Sequence, residues 1–250
     1  MSLSKTKGVV LRTIDVGEAD RILEVFTDDR GKIRAVARGV RKIRSKLAGH
    51  LEPFTYVDLL LAKGRGDLPV IAGAKAISHF QGIRTDLDRV AVASYLSELV
   101  GKLNADEDVS RQVLSLVRAA FQALEGGYEP RLVADYYQWQ AITLAGLRPD
   151  LYACIECGRK LFPSDLAFSP GLGGVLCKEC VVTDPEAIRV SPEAVKLLRA
   201  FSERAFAEAS GIMVRDPIKK ETSNLLERLV HHHLEREPKS RRFLNLVGRG

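Results

Sequence analysis

The sequence predicts an α+β, multidomain chain: a small N-terminal β-barrel, a C-terminal helical bundle, and a four-cysteine module inserted within the helical part. Three observations predict it. Short β-branched-rich segments separated by turn chemistry fill residues 8–80. Helical periodicity takes over near residue 83. A C-x2-C-x19-C-x2-C pattern at Cys154, Cys157, Cys177 and Cys180 then interrupts the helices.

The strand segments are GVVLRTIDV, RILEVFTD, KIRAVARGV, FTYVDLLLA and LPVIAGAKAISHF, with DDRG and KGRGD supplying turns between them. Five such strands within about seventy residues, with no helix-length interruption, suggest a small barrel. The OB-fold is the commonest such barrel with a nucleic-acid role, and an SH3-like barrel is its rival. Residues 1–80 therefore form one expected domain, an OB-fold nucleic-acid-binding domain.

Beyond it, IRTDLDRVAVASYLSELVGKLNA carries apolar residues at roughly helical spacing. VSRQVLSLVRAAFQALEGG repeats the pattern and stops at Gly-Gly. EPRLVADYYQWQAITLAGLRP starts with Pro130 just inside the helix and ends before Pro149. SPEAVKLLRAFSERAFAEA opens on Ser191 as cap and Pro192 at the first helical position, and DPIKKETSNLLERLVHHHLERE starts the same way with Asp216 and Pro217. Residues 81–250 thus form the expected helical domain, with an insert at 150–182 and a basic tail at 238–250.

The cysteines carry the strongest motif. Two thiolates two residues apart grip one metal from a tight turn, and two such turns give a tetrahedral S4 set that suits one Zn²⁺. Gly158 and the Gly173-Gly174 pair help the backbone bend around the sulfurs. A redox C-x-x-C opens a helix in a βαβ setting, which neither pair does. Two disulfides do not suit a cytosolic chain. An iron–sulfur cluster would use the same four thiolates and stays open, though the spacing favours zinc. All four ligand positions are filled by sulfur, so the metal reads as structural rather than catalytic.

His231, His232 and His233 look like a metal tract, but consecutive helical positions point apart and cannot converge on one ion. Trp139 with Tyr136 and Tyr137 could stack bases, yet on an amphipathic helix core packing is the better reading. The chain contains no P-loop, G-x-S-x-G, H-E-x-x-H or dinucleotide fingerprint, and no recognisable catalytic acid pair, so it reads as a non-enzyme.

Composition sets the partners. Of 250 residues, 46% are hydrophobic, which excludes wholesale disorder. No apolar run has the length of a signal sequence or a membrane span, so the expected location is cytoplasmic, with no membrane partner. The net charge of +6 is unevenly placed: residues 1–80 hold 15 basic and 9 acidic residues, while 81–250 hold 23 of each. No acid occurs from 31 to 50, and VARGVRKIRSKL puts five cations into twelve positions.

Such a run is most often a solvated loop. Three features argue for more. Lys32, Arg34 and Arg38 fall at even spacing and are expected on one face of the sheet, with Arg41, Lys42, Arg44 and Lys46 in the following loop. An OB barrel tracks single strands with its face and loops. Arginine outnumbers lysine five to three from Arg30 to Lys46, which suits bidentate phosphate contact. These seven cations, with Lys239, Arg241 and Arg242 of the tail, form the candidate DNA-binding set. An OB-fold and zinc-ribbon RNA-binding factor of translation or the ribosome shares the basic barrel and the S4 site, and is the alternative.

GEADRILEVFTDDRGKIRAVARGVRKIRSKLAGHLEPF, followed by YYQWQAITLAGLRPDLYACIECG, FSPGLGGVLCKEC and KSRRFL, resembles the RecO family of bacterial DNA repair proteins over nearly the whole chain. The resemblance implies an N-terminal OB-fold, a helical domain, a zinc-binding insert and no catalysis of bond making. It implies a recombination mediator that binds single- and double-stranded DNA and anneals complementary strands. It further implies engagement of RecR and of the single-stranded-DNA-binding protein SSB, and help to RecA in replacing SSB.

Overall fold

The computed structural model describes residues 3–64, 66–234 and 238–247. Arg65 of the KGRGD turn, residues 235–237 of the last expected helix and 248–250 of the basic tail lie outside the described residues. The chain divides into two compact units, Met1–Ala134 with Pro238–Gly250, and Asp135–Glu237.

In the first unit, β1 (Leu3–Val16), β2 (Asp20–Thr27), β3 (Gly31–Ala37), β4 (Tyr56–Ala62) and β5 (Val70–Ser78) close into a barrel in the order β1-β2-β3-β5-β4. Only the β3–β5 pairing is parallel. This is the OB-type barrel the segments predict. Strand alternation sends Leu23 and Val25, Ala35 and Ala37, and Val57, Leu59 and Leu61 into a shared interior. Each large side chain buried there stabilises the fold by about 1.5–3 kcal/mol. The β1 strand begins five residues before the expected Gly8, because Leu3–Lys7 pair with β4. That stretch alternates without an apolar face, so periodicity does not reveal it.

Three helices follow: α1 (Gln81–Arg84), α2 (Leu87–Leu103) and α3 (Arg111–Glu125). Asp86 caps α2 by accepting from the Asp88 and Arg89 amides, and Ser110 caps α3 through Val113. Phe121 of α3 meets Phe54 and Phe80 edge to face at 5.5 and 5.7 Å, and Arg118 lies 4.2 Å over the Tyr56 ring. These contacts fix α3 to the barrel. The last described helix, α8 (Ser240–Val247), packs on α2.

The helix α4 (Pro130–Leu144) runs across the division at residue 134. Its second half opens the other unit, which adds β6 (Leu166–Ser169), β7 (Gly174–Leu176), β8 (Ile188–Val190), α5 (Pro192–Glu203), α6 (Phe206–Ser210) and α7 (Asp216–His233). Trp139 is fully buried and its indole N–H donates to Ser202 Oγ at 3.0 Å, so it is a core residue. The expected single helix from Ser191 to Ala209 breaks at Arg204 and Ala205, both of which are extended. Side chains of α4 occupy the break: Tyr136 OH donates to the Arg204 carbonyl and Gln140 to that of Phe201. Asp216 is the first residue of α7 rather than its cap.

Candidate metal centre and nucleic-acid interface

The four cysteine sulfurs all lie within 4.8 Å of one another, with Cys157 and Cys177 Sγ 3.9 Å apart. A zinc tetrahedron with Zn–S bonds of about 2.3 Å has S–S edges of about 3.8 Å, so the donor set fits such an ion. Two turns build it. In the first, the Cys154 N–H donates to Arg159 O and the Gly158 N–H to Cys154 O, both at 2.8 Å. In the second, the Cys180 and Val181 amides donate to Cys177 O at 3.0 and 3.1 Å. Gly158 and Gly173 take φ of 71° and 75°, which a side chain would oppose. The small sheet β7-β6-β8 supports the turns, and Ile155 N–H donates to Val175 O at 3.0 Å, tying the first turn to β7.

Burial raises the Cys154 thiol, but backbone amides of Cys157, Cys177 and Glu156, with the Cys157 thiol, outweigh it and bring Cys154 down to about 6. Burial and the three neighbouring sulfurs push Cys180 up to about 12. Four like charges this close ionise together only around a cation. Cys154, Cys157, Cys177 and Cys180 can therefore hold a metal ion.

The cations of the barrel unit fall into distinct environments. Lys32 is bound within the fold. Its ammonium donates to the Gly101 and Asn104 carbonyls and pairs with Asp106 at 3.0 Å, closing the C-terminus of α2. It answers orphan carbonyls at the negative end of that helix. Arg34 is exposed and shares Glu24 with Arg12 at 3.6 and 3.4 Å. The three are cross-strand neighbours, Arg12 opposite Glu24 and Glu24 opposite Arg34. Gly101 keeps room for that carboxylate, since a Cβ there would sit 3.1 Å from Glu24 Oε1.

Past β3, Arg38, Lys42, Arg44 and Lys46 are exposed and have no acidic partner among the described residues. Arg41 is exposed too, with Asp15 at 3.3 Å and the Gly17 carbonyl at 3.2 Å. Lys239, just before α8, and Arg242 on that helix are exposed, whereas Arg241 is buried, with 6% of its surface exposed. Arg12 is the basic residue the sequence reading missed. It sits in a strand with no charge run, and only the register across β2 brings it beside Arg34.

An OB-type barrel followed by a basic loop after β3, in one chain with a helical unit and a four-thiolate insert, defines a two-unit α+β protein whose barrel type binds oligonucleotides or oligosaccharides. Residues 1–80 match the family described as "Recombination protein O N terminal", and residues 84–242 match "Recombination protein O C terminal". Among similar proteins, "DNA repair protein RecO" of Roseiflexus sp. (strain RS-1) is 36% identical over 97% of this chain and 85% of its own. The protein of that name from Bifidobacterium adolescentis is 37% identical over 98% and 100%, and one from Dehalococcoides mccartyi strain 195 is 32% identical over 98% and 96%. The chain belongs to the recombination protein O family. Its role lies in DNA repair and recombination. No helix among the described residues is long and apolar enough to cross a membrane.

Proposed function

We propose that the protein is a non-enzymatic, cytoplasmic recombination mediator that binds single- and double-stranded DNA and anneals complementary strands. In this reading it works with RecR, engages SSB and helps RecA load on SSB-coated strands. The observation that carries it is the loop after β3, where Arg38, Lys42, Arg44 and Lys46 stand exposed with no acidic partner among the described residues. Annealing brings two polyanions together, and a surface of free cations lowers their repulsion without reading bases.

The phosphate-contacting set is Arg34, Arg38, Arg41, Lys42, Arg44 and Lys46 of the barrel unit, with Lys239 just before α8 and Arg242 on it. Lys32 and Arg241 leave it. The first is held by three acceptors of the α2 terminus and the second is buried, so each serves the fold. Zinc in the S4 site folds the insert around a small buried cluster of Cys154, Ala167 and Leu176. Elemental analysis of protein purified without added metal tests this, expecting one zinc per chain. Iron with a visible absorbance band would overturn it.

The function is tested by replacing Arg38, Arg41 and Arg44 together with alanine and measuring binding to single-stranded DNA across salt concentrations. The log–log slope is expected to become shallower by about 2, at about 0.7 per lost phosphate contact. An unchanged slope would make the loop a solvated surface.

A further inference from the structure

The loop after β3 carries a feature its charge does not explain. Residues 36–47 hold five apolar side chains, Val36, Ala37, Val40, Ile43 and Leu47. Ala37 and Val40 are buried in the barrel core, Leu47 packs against that core, and Val36 is half-buried. Ile43 stands apart, its surface fully exposed at 104%.

The chain holds it there. The Gly39 N–H donates to the Asp20 carboxylate at 2.7 Å, and the Arg41 N–H to Ala19 O at 3.0 Å. The Ser45 N–H donates to Lys42 O at 2.9 Å, closing a turn with Ile43 and Arg44 at its two corners. Turn corners favour Pro, Gly, Asn, Asp and Ser, whereas a β-branched residue there loses its strand preference and leaves its whole apolar surface in water. Around this tip stand Arg41, Lys42, Arg44 and Lys46, all exposed. An apolar point ringed by cations matches a strand of nucleic acid, which offers phosphates to the cations and apolar base faces between them.

The geometry points to Ile43 as an apolar wedge that seats against the base faces of the strand whose phosphates the loop cations hold. This rests on the proposed DNA contact of the loop and deepens it: Arg38, Arg41 and Arg44 bind the backbone, and Ile43 binds the bases. Unpaired bases present their faces at once, whereas a duplex must unstack first, so the wedge favours single strands.

Two variants test it. Ile43→Trp places an indole at the tip against a constant background, because Trp139, the one native tryptophan, is fully buried. Oligothymidylate is expected to quench the new emission in step with binding, while inorganic polyphosphate, which has no bases, binds without quenching. Ile43→Ala is expected to weaken oligothymidylate binding about tenfold at fixed salt, in line with the apolar surface removed, and to leave the salt slope unchanged. The Arg38, Arg41 and Arg44 alanine variant, run in parallel, separates the two readings. If it flattens the slope while the emission and the Ile43→Ala affinity do not change, the wedge is overturned and the DNA contact stands. The same result joined to loss of a protein partner's binding would assign Ile43 to that partner. If the triple variant also binds unchanged, the loop does not hold DNA and both readings fail.

Discussion

Lys32 and Arg34 lie two positions apart on β3 and do different work. The Lys32 ammonium ends among two carbonyls and a carboxylate at the α2 terminus, whereas Arg34 shares Glu24 with Arg12 on the exposed barrel face. Removing Lys32 leaves the part-buried Gly101 and Asn104 carbonyls without this donor. Lys32→Met is expected to cost about 1–3 kcal/mol in denaturant unfolding and to leave the salt slope of DNA binding as it was. Replacing the loop arginines is expected to do the opposite, with little change in stability and a flatter slope. The basic character of both residues could be read from the chain. The destination of Lys32 could not, because Gly101 is 69 residues away and nothing local marks it as the partner. Arg241 presents the same problem: its place in the basic tail suggested a DNA contact, and tertiary packing buries it.

Among the elements, α8 is attached most simply. Its N-terminus is capped from another helix. Glu98 of α2 accepts from the Lys239 and Ser240 amides, each at 2.9 Å, and from the Ser240 hydroxyl at 2.8 Å. Burial raises the Glu98 carboxyl, but these bonds and the nearby Lys102 outweigh it and hold it below the usual carboxylate range. The sign follows from the linkage. A depressed carboxylate contributes stability above the ordinary glutamate range and loses it as pH falls through its own lower pKa. Hydrogen exchange is therefore expected to show α8 protected at neutral pH and opening in acid before the barrel does. Glu98→Gln is expected to weaken α8 docking by about 1–2 kcal/mol at neutral pH and to remove that acid dependence. Strand segments, helix caps and the cysteine turns could be read from the chain because each is specified within a few residues. The β7-β6-β8 sheet could not, since its strands are 3–4 residues long and turn signals dominate the stretch. The break after α5 escaped for a different reason: the residues that satisfy its last carbonyls, Tyr136 and Gln140, lie on α4.

Across the whole chain, the basic surplus and the cysteine cluster that can hold a metal fall in different units. The net +6 of residues 1–80 equals the total for the chain, and the thiolate centre lies in Asp135–Glu237. The barrel has its own buried core, from Val10 and Leu23 to Leu61 and Ile71. On the proposed zinc assignment, a chelator is therefore expected to release protection in residues 150–190 while the barrel amides keep theirs, as hydrogen exchange would show. Loss of barrel protection on the same timescale would mean that the metal supports both units. In the proposed mediator role, polyanion binding by the barrel is expected to combine with strand pairing in a reaction that needs no nucleotide. The most direct measurement is the rate at which complementary oligonucleotides anneal with the metal-loaded protein at low salt and without ATP, on bare and on SSB-coated strands. A rate well above the protein-free one, falling steeply as salt rises and falling again in the Arg38, Arg41 and Arg44 alanine variant, is the result expected. An annealing rate indistinguishable from that of DNA alone would contradict the mediator reading.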